Sequence, residues 1–351
     1  MVKQLILPII AMSFLATACA PPTPDASSDA EIGPNTLTIY SSRHYDSDQI
    51  LYKAYEDATG VRIEVREAKA DQLLETMKAE GENSPADLVI AADAGALWRF
   101  QAAGLTQAYS DAEIEAAIPS NFRQSEGHWF GLGKRIRVVA YDPSRFTESD
   151  VDTWADLTAE DKRGEICVRS SSNIYNLSLL AEMIARTGAD EASAWAAGIV
   201  ANMARNPQGG DTDQIRAVAA GQCGIAIVNH YYWVRLLRSA SEADRAAADA
   251  TRLVIPTFPD SAGAHVNITG IAITATADDS ALAADFIKYL LTAEGQEMLT
   301  TETKELPMRS DVRLPDGVEA LPPYTAAETP LDVLGENQAE AQRLFDLAGW
   351  N

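Results

Sequence analysis

The feature that most constrains the fold is an alternation of strand and helix that begins at Thr36 and runs through most of the chain. Thr36–Tyr40 reads as a strand. Asp46 or Ser47 can cap a helix reaching about Ala58, with Gly60 as its stop. Val61–Val65 alternates as a strand, Asp71–Ala79 is helical, and Ala86–Ala91 is an apolar strand. A helix over Asp93–Ala103 ends at Gly104. A β-α-β-α rhythm predicts mainly parallel sheets with helices on both faces.

A second set repeats the pattern. Arg135–Tyr141, Glu165–Val168 and Gly224–Val228 read as strands, with helices near Asn176–Arg186, Glu191–Met203 and Asp213–Ala220 between them. Arg252–Ile255 and Val266–Thr274 are further strands, and the remainder to Asn351 reads mainly as helix. The strands near 135–141 and 266–274 bracket the second set and are candidates to cross between two bodies. The expected fold class is therefore two-lobed α/β with hinge strands. Residues 36–138 plus 266–351 would form a discontinuous lobe 1, and 139–265 lobe 2.

The N-terminus reads as an export signal over residues 1–19. Lys3 gives the positive end, Leu5 to Ala16 the apolar run, and Ala16-Thr17-Ala18 the small residues before a cleavage point. The run is too short to span a bilayer. Ala16-Thr17-Ala18-Cys19 also resembles a lipobox without its usual leucine, which makes Cys19 a candidate for lipidation. Residues 20–35, rich in Pro, Ser and Asp, read as a flexible tether. Export places the chain in an oxidising compartment, so Cys167 and Cys223 could pair; the bland alternative is two small buried thiols.

Charge excludes some partners. The 351 residues carry 28 Lys+Arg against 51 Asp+Glu, a formal net charge of -23. Losing Lys3 with the leader would make it 27 minus 51, or -24. Such a polyanion lacks the basic face that nucleic acid or an anionic membrane requires. No C-x-x-C, H-E-x-x-H or Gly-x-Ser-x-Gly motif is present either.

Three tyrosine-bearing segments fall in equivalent places. Ser41-Ser-Arg-His-Tyr45, Ser170-Ser-Ser-Asn-Ile-Tyr175 and Asn229-His-Tyr-Tyr232 each follow a strand and precede a helix. Open α/β sheets bind their ligands at that end. A phenol, with a pKa near about 10, ligates well only where a strong Lewis acid displaces its proton. Ferric iron does so, and tyrosinate already serves as a haem-iron ligand. Each piece has a bland reading too. Tyr45 could be a lid over its helix, Tyr175 a neighbour of a helix cap, and His44 a capping residue. The Tyr231-Tyr232 pair could be one core ring and one interface ring. Ser170–Ser172 and Asn173 could instead cradle an oxyanion.

Taken together, Leu37-Thr-Ile-Tyr-Ser-Ser-Arg-His-Tyr45, Cys167-Val-Arg-Ser-Ser-Ser-Asn-Ile-Tyr175, Asn229-His-Tyr-Tyr232 and Gly131-Leu-Gly-Lys-Arg-Ile-Arg137 resemble the periplasmic ferric-iron-binding proteins of bacterial ABC importers. The likeness is greatest to the cyanobacterial and marine type. That resemblance implies a type 2 periplasmic-binding-protein fold and a monomeric receptor closing on iron. It also implies delivery to an inner-membrane permease with a cytoplasmic ATPase. Tyr45, Tyr175, Tyr231 and Tyr232 match the family's tyrosinate ligands. His44 matches a position that ligates in some members, and Arg135 and Arg235 match arginines near the metal. Fe(III) is the expected cargo, with Fe(II) and a synergistic anion such as carbonate left open.

Two other readings compete. One is a receptor for an organic cation, a polyamine or thiamine, stacked between Tyr45, Tyr231 and Trp233 and paired with acidic residues. The other is an exported enzyme, since a fold never excludes catalysis.

Overall fold

A computed structural model describes residues 35–43, 45–258 and 263–351. The leader, Cys19, the tether up to residue 34 and His44 lie outside the described residues. The strands are β1 (Thr36–Ser41), β2 (Arg62–Glu67), β3 (Leu88–Ala91), β4 (Phe130–Tyr141), β5 (Ile166–Cys167), β6 (Ile225–Asn229), β7 (Arg252–Val254), β8 (Val266–Ile273) and β9 (Leu306–Pro307). They join in the order β2-β1-β3-β8-β4-β6-β5, with β7 and β9 also paired to β4.

Five consecutive β1 residues from Leu37 to Ser41 are buried. Successive side chains point to opposite faces, so both faces of the sheet are covered there. The flanking helix Asp46–Thr59 turns Leu51, Tyr52 and Tyr55 inward and ends at Gly60. Gly60 takes a left-handed φ of 73° and donates its N–H to the Glu56 carbonyl, a conformation that disfavours a Cβ. Tyr45 occupies the N-cap, so the helix starts one residue earlier than an Asp46 cap would place it.

β4 is the element on which the sheet turns. From Phe130 to Ile136 it pairs with β8, while from Arg137 to Tyr141 it pairs with β6. One strand thus belongs to two groups of partners, the change falling between Ile136 and Arg137. The sheet is mixed where the alternation alone predicts mainly parallel pairing. β1-β2, β1-β3 and β5-β6 are parallel. β4 pairs antiparallel with β6, β7, β8 and β9, and β3 with β8. The reason is connectivity: β4 carries the chain out of the first strand set and β8 brings it back, so the two run in opposite directions.

Two more differences concern the C-terminal third. After helices Ser280–Leu290 and Ala293–Thr301, much of the chain to helix Gln338–Ala348 is irregular rather than helical. β9 has no sequence signal, being two residues ended by a proline. Cys167 and Cys223 are disulfide-bonded, with Cα atoms 5.9 Å apart. Parallel pairing of Ile166 with Ile225 sets their separation.

Candidate metal site

All four tyrosines sit at the first turn of a helix. Tyr45 is the N-cap of Asp46–Thr59, and Tyr175 is the second residue of Ile174–Thr187. Tyr231 and Tyr232 are the second and third residues of His230–Leu237. The Asn173 side chain caps its helix by accepting from the Tyr175 N–H at 3.1 Å. A helix start carries partial positive charge, which favours a phenolate oxygen over a neutral phenol.

The structure brings these side chains together. Tyr231 donates its hydroxyl proton to the Tyr175 hydroxyl at 3.1 Å and accepts from Asn229 Nδ2 at 3.2 Å. The Tyr231 and Tyr232 rings lie 4.5 Å apart with a 37° tilt, so the pair does not diverge as it would on opposite helix faces. Arg235, one turn further along the same helix, closes the group. Its guanidinium lies 5.2, 5.0 and 5.7 Å from the ring centres of Tyr45, Tyr231 and Tyr232. It also hydrogen-bonds Tyr45 and donates to the Thr303 carbonyl at 2.9 Å.

Arg135 is buried, 5.9 Å from the Tyr175 ring centre and 5.7 Å from that of Tyr231. It pairs with Glu305 and Thr269. Three further arginines, not singled out from the sequence, complete the ring. Arg43 faces Tyr45 at 5.2 Å, and Arg137 and Arg169 face Tyr175 at 5.8 and 5.3 Å. All three lie in the segments that carry the tyrosines or the Gly131–Arg137 run, so position was their only signal.

The arginines are held by shared carboxylates. Glu305 pairs with both Arg43 and Arg135. Asp211 pairs with Arg137 at 2.8 Å and Arg169 at 3.1 Å, and Asp48 with Arg43 at 2.7 Å. The five guanidiniums outnumber the three carboxylates that pair with them, and Arg235 has no carboxylate partner among the described residues. Burial pushes the Tyr175 and Tyr231 phenols up, and neighbouring tyrosines add to the rise, outweighing the arginines. Metal-free, both stay protonated at neutral pH. A cleft of ≈ 570 Å³ opens beside Tyr175, lined in part by Ser42, Asp93, Arg169 and Ser170.

The other candidates fall elsewhere. His230 points away: its Nδ1 accepts from the Ile136 N–H and its Nε2 meets the Lys304 carbonyl. Burial lowers its pKa to about 4, so it is neutral. Trp233 is buried and donates to Thr251 Oγ1 at 3.0 Å, outside any stack with Tyr45 and Tyr231. Among the described residues no group of three or more His, Cys, Asp or Glu could hold a metal ion.

Comparison with known proteins places the chain in a family. The model of a family described as bacterial extracellular solute-binding protein matches residues 51–326. Iron uptake protein A1 of Synechocystis sp. is 36% identical over 97% of this chain and 95% of its own length. A Trichodesmium protein, IdiA (FutA), solved in complex with iron and citrate ligands, shares 40% identity. It superposes with a TM-score of 0.86 over 90% of this chain and all of its own. The ferric binding protein from Campylobacter jejuni superposes at 0.84 with 36% identity, over 90% of this chain and 100% of that one.

Proposed function

Because the chain belongs to the bacterial extracellular solute-binding proteins and aligns along nearly its whole length with an iron uptake protein, we propose that its tyrosine cluster captures Fe(III) for an ABC importer. The fold is that of a type 2 periplasmic binding protein. Tyr45, Tyr175, Tyr231 and Tyr232 are the ligands, with His44, water or an anion completing the shell. Residues 36–138 plus 266–351 and residues 139–265 are the two lobes, with β4 and β8 as hinge strands. Tyr45 comes from the first and the other three from the second, so closure assembles the site. The receptor is monomeric and periplasmic, is tethered through a lipidated Cys19, and delivers iron to an inner-membrane permease with a cytoplasmic ATPase. It is not an enzyme.

The observation that carries this reading is the meeting of four phenols from three helix starts inside a ring of arginines. Loss of four phenol protons puts four negative oxygens among the arginines, and Fe(III) balances three of them where Fe(II) would balance two. The guanidiniums in excess of their paired carboxylates favour a synergistic anion such as carbonate. The same ring opposes an organic cation. A polyamine or thiamine would meet five guanidiniums, and Glu305, Asp211 and Asp48 are already paired with them.

Titrating metal-free protein with ferric citrate tests the proposal. A visible phenolate-to-iron band saturating at about one iron per chain is expected. Since the phenols must lose protons, the band should weaken as pH falls. A colourless titration that nevertheless shows anaerobic Fe(II) binding by calorimetry would make the cargo ferrous. Spermidine or thiamine raising Tm where iron does not would replace the reading altogether.

A further inference from the structure

A second cavity, of ≈ 750 Å³, lies apart from the tyrosines, and residues 113–120, Arg123, Lys134, Lys288 and 308–311 contribute to its wall. Against three acidic side chains, Glu113, Glu115 and Asp311, four of its side chains are basic. Two of those are already paired: Lys288 with Asp285 at 2.6 Å, and Arg309 with Asp311 at 2.7 Å. The other two are not satisfied in this way. Lys134 has no carboxylate partner among the described residues, its Nζ lying 5.7 Å from the Phe122 ring centre. Among the described residues Arg123 pairs only with Glu115, at 3.8 Å, and its buried Nε has no acceptor. Glu115 itself accepts from the Ser110 hydroxyl at 2.8 Å.

A largely desolvated ammonium with no counter-charge is costly, and the cost is removed when an anion enters. Burial alone pushes the Lys134 ammonium down, with no opposing carboxylate. Lys134 precedes Arg135 on β4, and successive side chains of a strand face opposite ways. One faces the cavity and the next faces the tyrosines.

We propose that this cavity is a binding site for a small oxyanion, held between Lys134 and Arg123, with hydroxyls such as Ser120 and Ser310 at its wall. Phosphates and short carboxylates share the needed chemistry, so inorganic phosphate and succinate are the two probes. The site stands independently of the iron reading.

The test is calorimetric titration of the full metal-free chain with each probe, for wild type, Lys134→Gln, Lys134→Arg and Arg123→Gln. Lys134→Gln and Arg123→Gln should each weaken the preferred probe about tenfold or more, as charged hydrogen bonds do. Lys134→Arg should retain binding, and all variants should keep the wild-type response to ferric citrate. That last readout shows the variants are folded and separates this cavity from the tyrosine site, whose arginines also attract anions. Affinity unchanged in both Gln variants would place the anion elsewhere and overturn the proposal. So would failure of both probes to bind wild type. Preference for phosphate or for succinate decides which source the site serves.

Discussion

Tyr231 and Tyr232 are adjacent, yet their hydroxyls stand in different surroundings, and this separates ligand loss from fold loss. Tyr232 is half-buried, and Tyr232→Phe should leave thermal stability within about 0.5 kcal/mol of wild type. Tyr231 is buried and accepts from Asn229. Tyr231→Phe strands that amide and should cost about 1–3 kcal/mol by denaturant titration. Both variants should lose ferric affinity at least about a hundredfold in competition with citrate, because even outer partners of metal ligands are worth about 10–100-fold. Unchanged affinity in both would remove them from the ligand set. The sequence pointed to these positions because a strand end, a polar cap and a tyrosine recurred three times.

At the scale of the element, helix Ile174–Thr187 links the site to β8. Tyr175 stands in its first turn. One turn on, Ser178 donates to Asp93 Oδ2 at 2.7 Å, an oxygen that also accepts from Asn267 of β8 at 2.7 Å. One turn further, Glu182 pairs with His265, just before β8, and with Arg186. Burial would raise the Glu182 pKa, but His265 and Arg186 together hold it below the usual carboxylate range. Its folded pKa is thus depressed, so its stabilisation is present above the unfolded value of about 4.3. It is lost as pH falls through the lower folded value. Thermal melts should show wild type above Glu182→Gln near neutral pH, with the gap closing below about pH 4. A gap independent of pH would remove the linkage. Asp211, the first residue of helix Asp211–Ala219, is fully buried under two arginines and the Asn229 N–H. Asp211→Asn should cost about 3–5 kcal/mol, read by denaturant titration, because it leaves the buried Arg137 guanidinium without its counter-charge.

For the whole molecule, the disulfide is the simplest constraint to remove. It spans a sequence separation of 56 residues and ties β5 to the approach to β6, beneath two of the three tyrosine segments. Loop-closure entropy for that length is worth about 4 kcal/mol. A Cys167→Ala/Cys223→Ala variant should therefore melt lower while its ferric band, once folded, keeps its position. The acidic surface, by contrast, has no bearing on the fold. It disfavours nucleic acid as a partner without naming one.

Local chemistry fixed much of this protein before folding. Strand and helix alternation follows from where apolar residues recur, and helix starts follow from caps such as Asn173; both depend on neighbours in sequence. Those two rules bring the tyrosines to equivalent places and make the site legible. Of the arginine ring, the resemblance gave Arg135 and Arg235; Arg43, Arg137, Arg169 and the carboxylates that hold them were not legible, because that geometry is set by partners far along the chain. Arg43 and Glu305 are separated by 262 residues, Arg135 and Glu305 by 170, and Arg137 and Asp211 by 74. Only the strand order, with β4 changing partners between Ile136 and Arg137, brings them into contact. The mixed direction of the sheet has the same origin. A strand's direction is decided by where the chain must return, and that is a property of the fold as a whole.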